Sequence, residues 1–406
     1  MIAYKSEYCN IFSVNSLLKQ RCFGNIMVLT GARVLLIYKD KENNEMEKLR
    51  VGIIGCGGIA NGKHMPAIKK IKELEMVAFC DVIYERAEKA AREYGALDAK
   101  IYTDYRELLK DPTINNVRVL TPNRLHAQIS IDAMRAGKHV LCEKPMAANY
   151  SDAKRMLEVQ KETGMLLTVG YQHKFDPDVM YAKAEAQKNA LGEIYFAKGS
   201  VIRRRGVPTW GVFTSKEEQG GGALIDIGTH VLDIILYLMD NYKPKYIVGS
   251  TYDKLKHQKE SANPFGAWDV EKYDVEESAF AYLVMENGAC VILETSWALN
   301  TTDVCGVRYM VCGTEAGADN YEGKFKINGV NNNRQYIHTP DLKSKGVAFY
   351  GAEDPSPTVM EQAVFTNAIL GKGELVTKPE HAAVVSQILE GVYISAQSGK
   401  PYYFEE

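Results

Sequence analysis

No C-x-x-C pair occurs among the eight cysteines (Cys9, Cys22, Cys56, Cys80, Cys142, Cys290, Cys305 and Cys312). A disulfide framework is not expected in a chain of this length with these spacings, and several cysteines sit inside apolar runs. They read as reduced, buried thiols of a cytoplasmic protein. The eight histidines lack H-x-H and H-x-x-x-H spacing, which removes the usual signs of a metal site. Charge of one sign is also missing. The 49 basic and 51 acidic side chains leave a formal charge of −2, so no strong overall field draws the chain to nucleic acid or anionic lipid. No run approaches the roughly 18 uncharged apolar residues of a membrane span. Internal repeats and low-complexity tracts are absent as well.

What is present is globular in character. Of 406 residues, 46% are hydrophobic and 25% charged, enough apolar material for about two domains. Residues 1–45 differ from the rest. The apolar stretch 26–38 is broken by Arg33, has no basic segment before it and no small-residue cleavage pattern after it, so it does not read as a secretory signal. The polar stretch 39–45 reads as a linker. Met46-Glu47-Lys48-Leu49-Arg50 then leads at once into a strand, which makes Met46 the expected biological start and 1–45 an extension.

Leu49-Arg50-Val51-Gly52-Ile53-Ile54 is a β-rich run, followed directly by Gly55-Cys56-Gly57-Gly58-Ile59-Ala60 and a helical segment expected to reach about residue 74. This is G-x-G-x-x-A between a strand and a helix. Gly55 permits the tight turn, Gly57 lets the backbone approach a pyrophosphate, and Ala60 allows close helix packing. Gly55, Gly57, Gly58, Ile59 and Ala60 are thus the expected phosphate-binding loop, with helix N–H groups facing the phosphates. The next apolar run, 76–80, ends in Asp81, placed to accept bonds from an adenosine ribose. A carboxylate there repels a 2′-phosphate, so NAD is favoured over NADP. Helices over 85–94, 105–109, 125–136 and 151–163 alternate with strands over 117–120, 138–142 and 165–169, which predicts a parallel sheet covered on both faces. Ligands in such sheets bind at the carboxyl ends of the strands, where Asp81, Asn123, His126, Glu143 and Lys144 fall.

Four motifs in order carry a family resemblance: Gly55-x-Gly57-x-x-Ala60, Thr121-Pro122-Asn123-x-x-His126, Glu143-Lys144-Pro145, and Gly220-Gly221-Gly222-x-Leu224-x-Asp226-x-Gly228-x-His230. From about Glu47 onward the chain resembles the glucose–fructose oxidoreductase, inositol dehydrogenase and rhizopine-catabolism (Gfo/Idh/MocA) oxidoreductases. The resemblance implies an α/β protein with an N-terminal Rossmann dinucleotide-binding domain and a C-terminal α/β domain carrying a large open, mainly antiparallel sheet. On this reading residues 46–170 bind NAD, and 171–406 bind substrate and form homo-oligomer contacts through that sheet. It also implies cofactor contacts from Thr121, Asn123, His126, Glu143 and Lys144, and a catalytic set of Lys144, Asp226 and His230. The peptide before Pro145 is expected to be cis. One departure stands out: where the family often has an arginine after Val169-Gly170-Tyr171, this chain has Gln172-His173-Lys174, which makes His173 a candidate substrate contact.

The residues themselves fit alcohol oxidation. The segment 223–239 reads as a helix with Asp226, His230 and Asp233 on one face. A histidine suits removal of a hydroxyl proton as hydride leaves the carbon. Asp226 could orient the His230 ring or bind a substrate hydroxyl itself. Lys144 could stabilise negative charge on the reacting oxygen. Sequence leaves open which of Lys144 and His230 takes the proton. A structural alternative is a core histidine satisfied by Asp226.

The stretch 201–213 carries Arg203, Arg204, Arg205 and Trp210 in a Gly/Pro loop that leads to this helix. Arg203, Arg205 and Trp210 suit a polyhydroxylated ligand, through forked donors and a flat indole face. A solvated basic turn with Trp210 in the core is the plain alternative. The loop resembles members of the family that oxidise glycosides or anhydrosugars, including those acting on the C3 hydroxyl. Residues 278–285 and 289–297 form an expected hairpin about Asn287-Gly288, with a further strand at 306–313. Residues 358–370 and 379–397 read as closing helices.

The expected function is NAD-dependent oxidation of a secondary hydroxyl of a sugar, glycoside or polyol, without metal, nucleic acid or membrane. Two rivals remain: a glycosidase that oxidises its substrate transiently and eliminates the aglycone, and a non-catalytic NAD-binding sugar sensor. We expect the protein from its native host to begin at Met46; intact mass measures this, and a species retaining Met1 would refute it.

Overall fold

The computed structural model describes residues 21–22, 25–30, 33–37, 48–258, 260–342 and 356–404. Met1–Lys48 is a unit of its own, whose described backbone is a three-stranded antiparallel sheet of Arg21–Cys22, Asn25–Thr30 and Arg33–Ile37. The expected start at Met46 lies outside the described residues. Leu49–Glu406 forms the second unit.

That unit begins with six parallel strands: β1 (Leu49–Ile54), β2 (Leu74–Cys80), β3 (Lys100–Tyr102), β4 (Asn116–Val119), β5 (His139–Glu143) and β6 (Leu167–Gly170). Their order is β3-β2-β1-β4-β5-β6, with every neighbouring pair parallel. The order reverses at β1, and the carboxyl ends of β1 and β4 open the crevice where such sheets bind nucleotides. The strands are apolar on both faces because helices cover both. Sequence periodicity found this alternation but missed β3, whose three residues are too few to show a period. The first helix is shorter than expected. It runs through a π turn, Ala60–His64, into α1 (Met65–Ile68), and then gives way to β2.

The later chain builds a nine-stranded sheet from β7 (Ile194–Ile202), β8 (Pro244–Tyr252), β9 (Ser278–Met285), β10 (Cys290–Ser296), β11 (Cys305–Gly313), β12 (Ala316–Asp319), β13 (Lys326–Asn331), β14 (Arg334–His338) and β15 (Tyr402–Tyr403). The order is β14-β13-β12-β11-β7-β10-β9-β8-β15. Only β7 and β10 pair in parallel. One face packs on the segment 223–239, a π turn (Leu224–Gly228) running into a helix (Thr229–Met239), and on the long helix Pro379–Ser398. The helical stretch Lys216–Met239 is long and apolar enough to cross a membrane, but most of it is buried inside the fold, as a core helix. The other face leaves Tyr195, Val248, Tyr252 and Tyr282 exposed.

The turns depart from expectation in an instructive way. At Asn287-Gly288 only the glycine takes positive φ, +86°, and Met285 N–H bonds Ala289 O across a three-residue loop. The two-residue turn with positive φ at both positions sits instead at Asn332 (φ 50°) and Asn333 (φ 59°), closing Asn331 onto Arg334. Cys56, Cys80, Cys142, Cys290, Cys305 and Cys312 are free thiols. Cys56, Cys80 and Cys142 are buried, whereas Cys290, Cys305 and Cys312 are only partly so. Burial pushes the Cys56 and Cys80 thiols up to about 12, which keeps them unreactive.

Gly199 of β7 lets helix Thr229–Met239 lie close on the sheet. A Cβ there would stand 2.7 Å from both Val231 and Ile235 side chains. We expect Gly199→Val to cost about 1–3 kcal/mol through overpacking, read as a lowered thermal midpoint. An unchanged midpoint would show that the helix can shift freely.

Candidate active site

The loop after β1 has the form that a pyrophosphate requires. Gly55 sits at φ +94°, where a Cβ would also press on Leu120 O at 2.6 Å. Gly57 and Gly58 face open space, with no atom within 4 Å of an added Cβ. The first N–H groups of the helix that starts here have no partner within it. Asp81 is fixed behind the loop. Its Oδ2 accepts from Cys56 N–H at 2.9 Å and its Oδ1 from Ile83 N–H at 3.0 Å, leaving lone pairs on each oxygen for a ribose. Val82, Ile83 and Tyr84 beside it are exposed, giving an apolar rest for an adenine ring. The Thr121 hydroxyl is buried without a partner. The residues present therefore fit a dinucleotide without a 2′-phosphate.

β5 delivers Glu143 and Lys144. The peptide Lys144–Pro145 is cis, as expected. Glu143 is buried and turned inward. Its Oε2 accepts Lys144 N–H at 2.9 Å, and its Oε1 lies 2.6 Å from His64 Nε2. Burial alone would raise this carboxyl. The His64 bond, followed by the charges of His64, Lys144 and Lys63, outweighs burial and holds it at about 2. His64 Nδ1 faces Gln362 Nε2 at 3.1 Å, and Gln362 Oε1 accepts Arg118 Nε at 2.6 Å. A buried relay thus runs from β4 through Gln362, on the closing helix Pro357–Ile369, to the backbone of Lys144.

The glycine motif sets the other wall. Gly220 has φ +82°, a Cβ on Gly221 would fall 2.0 Å from Tyr393 Oη, and one on Gly222 would fall 2.0 Å from Glu276 O. The chain passes Ala148, Tyr393 and Glu276 too closely here for side chains on these glycines. Glu276 caps the helix that follows, accepting Gly222 N–H at 2.9 Å, Leu224 N–H at 3.0 Å and Tyr393 O–H at 2.9 Å. One turn further on, Lys144 Nζ donates to Asp226 O at 2.7 Å and to Asp226 Oδ1 at 3.0 Å. Trp297, fully buried, donates Nε1–H to Asp226 Oδ2 at 3.0 Å.

The His230 ring makes no hydrogen bond among the described residues, and its Nδ1 is buried and unpartnered. Burial, then the positive charge of Lys144, His173, Lys63 and Arg203, holds it well below the ordinary histidine value. Its ring meets that of His173 edge-on, with centroids 4.9 Å apart, and His173 Nδ1 bonds Asp176 Oδ2 at 2.6 Å. Lys144, Asp226, His230, His173 and Arg203 line one cleft of about 770 Å³, which also reaches Ile59 and Lys63 beside the nucleotide loop.

Other expected residues have different work. Asp226 does not orient His230; it serves Lys144 and Trp297. Asp233 faces elsewhere, paired with Lys174 at 2.8 Å in the core. The π turn at Leu224–Gly228 contains Asp226 and ends before His230, so their spacing is not that of a regular helix, although both line the cleft. His126 is buried with its ring nitrogens on Pro145 O (2.8 Å) and Thr121 O (2.9 Å), so it braces the loops and does not face the cleft. Asn123 Nδ2 bonds Gln219 O. Arg205 borders the cleft but spends its guanidinium on Ser261 O, Arg204 O, Gln258 and Asn300. Trp210 is neither core nor cleft: it lies half-exposed, edge-on to Phe213 and Phe265. Sequence reading missed Trp297, Glu276 and His64, none of which carries a local signal. Among the described residues, no group of three or more His, Cys, Asp or Glu is placed to hold a metal.

A dinucleotide loop that opens onto a cleft with a lysine and a neutral histidine defines an oxidoreductase with an NAD-binding Rossmann domain. Residues 49–171 match the model of the oxidoreductase family with an NAD-binding Rossmann fold, and residues 179–319 match the GFO/IDH/MocA C-terminal domain. The chain is 34% identical to D-glucoside 3-dehydrogenase of Escherichia coli (strain K12), over 86% of this chain and 96% of that one. It is 32% identical to levoglucosan dehydrogenase of Pseudarthrobacter phenanthrenivorans, over 51% of this chain and 55% of the relative. In fold it matches a solved levoglucosan dehydrogenase in complex with NADH, with a TM-score of 0.75 and 22% identity, over 89% of this chain and all of that one. The chain belongs to the Gfo/Idh/MocA oxidoreductase family.

The charge environment of His230 has a measurable consequence. A histidine whose folded value lies below its unfolded value, near 6.5, favours folding above that value; this contribution is lost as pH falls below 6.5. We expect the nitrogen-15 spectrum of the His230 ring to show neutral imidazole at pH 6 in the folded protein. An imidazolium at that pH would overturn the electrostatic reading.

Proposed function

We propose that the protein oxidises a secondary hydroxyl of a sugar or glycoside with NAD, the C3 hydroxyl of a glycoside being the favoured position. The observation that carries this is the pairing of Lys144 with Asp226 beside an unbonded, neutral His230 in one cleft. The likeness to D-glucoside 3-dehydrogenase over nearly the full length of both chains supports the choice of substrate and position.

Each residue's part follows from its bonds. Lys144 Nζ gives two hydrogens to Asp226, so the third can reach the reacting oxygen and stabilise charge that builds there. Asp226, held on its far oxygen by Trp297, fixes the lysine. His230 lines the same cleft and, held neutral, is the group to receive the hydroxyl proton. Arg203 and His173 offer donors to neighbouring hydroxyls. NAD, when bound, supplies the hydride acceptor. Asp81 and the loop from Gly55 to Ala60 hold its adenosine and phosphate end, while Ile59 and Lys63 border its approach to the cleft.

We further propose that the enzyme acts in the cytoplasm as a homo-oligomer joined through the open face of the nine-stranded sheet. The exposed Val248 and Tyr282, paired directly across β8 and β9, support that face as a contact surface.

The test is to mix the protein with NAD and a panel of sugars, polyols and glycosides, and to determine product masses. Loss of two hydrogens supports the dehydrogenase, whereas free sugar without net NADH would replace it with a glycosidase acting by transient oxidation. Lys144→Ala and His230→Ala should each lower turnover by at least ~100-fold, the scale of lost acid–base and electrostatic help. Near-normal turnover in either variant would remove that residue from the mechanism.

A further inference from the structure

Beside the cleft lies a second cavity of about 560 Å³. The two share one wall, formed by Val304, Cys305, Gly306 and Val307 where β11 begins. The middle of that wall carries no side chain. A Cβ on Gly306 would meet no atom within 4 Å, and its φ lies outside the glycine-favouring region, so nothing in the backbone demands glycine there. The wall is a low saddle between two compartments.

The compartments differ in chemistry. The first is rich in cations and in free polar groups, as described above. In the second, Pro177, Val307, Tyr321 and Phe325 provide apolar and aromatic surface. Its polar groups are already engaged. Asn320 Nδ2 donates to Asp178 Oδ2 at 3.1 Å and to Val307 O at 3.3 Å, while Asn320 Oδ1 accepts Tyr309 N–H at 2.8 Å. Arg308 Nη1 donates to Asp303 at 3.0 Å, and the Tyr321 hydroxyl lies 3.2 Å from Ser200 Oγ. The Tyr321 ring is also held in place by the Arg308 guanidinium, 5.0 Å from its centroid. An occupant bringing hydroxyls would have to break these bonds to satisfy its own, at the cost of desolvated polar groups. A flat apolar occupant would leave them intact and bury surface against Phe325 and Tyr321.

We propose that this second cavity is the subsite for an aromatic aglycone, the group attached to the sugar that reacts in the first cleft. The proposal rests on the sugar and glycoside reading above and narrows it. The enzyme's preferred substrate is then an aryl glycoside whose sugar lies by Lys144 and His230 and whose aglycone passes over Gly306.

Calorimetric titration with phenyl glucoside, methyl glucoside and a glucose disaccharide of matched anomeric configuration tests this without relying on turnover. The phenyl glucoside should bind at least about tenfold tighter than the methyl glucoside, the gain expected for burying one ring, and tighter than the disaccharide. Gly306→Leu, which fills the saddle, and Tyr321→Ala, which removes the ring from the far wall, should each cut the phenyl-to-methyl ratio to within about twofold, the scale of losing that same ring burial. Thermal unfolding checks that each variant is folded. Equal affinity for phenyl and methyl glucosides in the parent protein would overturn the subsite. So would a disaccharide that binds as tightly as the aryl glucoside, or a preference that survives both substitutions. If the binding preference holds but no glucoside is oxidised with NAD, the proposed function fails and the subsite stands.

Discussion

A half-buried ion pair joins the two halves of the working unit. Lys144 ends a strand of the parallel sheet, and Asp226 opens the helix that covers the antiparallel one. A charge pair partly withdrawn from water stabilises best when both partners keep good geometry and further bonds satisfy their remaining atoms. Both conditions hold here. Glu143 and His64 fix the backbone of Lys144 from one side, and Trp297 takes the far oxygen of Asp226 from the other. Glu276 caps the same helix from β9's approach, so the position of Asp226 does not depend on the loop before it. The geometry of the cleft follows from these clamps.

The cleft's electrostatics follow from the same arrangement. Lys144 is neutralised in part by Asp226, yet Lys63, His173 and Arg203 keep the local field positive. That field, added to burial, keeps His230 uncharged. A neutral imidazole among cations can take a proton briefly but stores it poorly, which suits the proton acceptor proposed above. The cations in turn favour an oxygen on which negative charge develops. Preorganisation of this kind costs stability: His230 leaves an orphan nitrogen in the wall of the core helix.

Much of the fold was legible in the sequence because its signals are local. The run Leu49-Arg50-Val51-Gly52-Ile53-Ile54 followed by Gly55-x-Gly57-x-x-Ala60 fixes a strand, a tight turn and a helix start within twelve residues. Alternating strand and helix periods then dictate a parallel sheet. The short strands β3, β12 and β14 escaped, since a few residues carry no period. Asn287-Gly288 was expected to make the two-residue turn, but strand register gave that geometry to Asn332-Asn333, where the pairing of Asn331 with Arg334 leaves room for only two residues.

The candidate site divides along the same line. Residue type and order determined the presence of a dinucleotide loop, an acidic residue at the end of the second strand, and a lysine, aspartate and histidine of the types that alcohol oxidation uses. Tertiary structure alone decided what each one touches. Asp226 turns to Lys144 and Trp297, partners that lie 82 and 71 residues away along the chain. Arg205 and His126 brace loops, because their partners lie 56, 95 or 19 residues away and no periodicity announces them. His64 and Gln362, which together steady the backbone of Lys144 through Glu143, are 298 positions apart. Local chain stiffness and hydrophobic period can be read along a sequence. Long-range hydrogen bonds depend on how sheets and helices pack, and that information exists only once the chain has closed on itself.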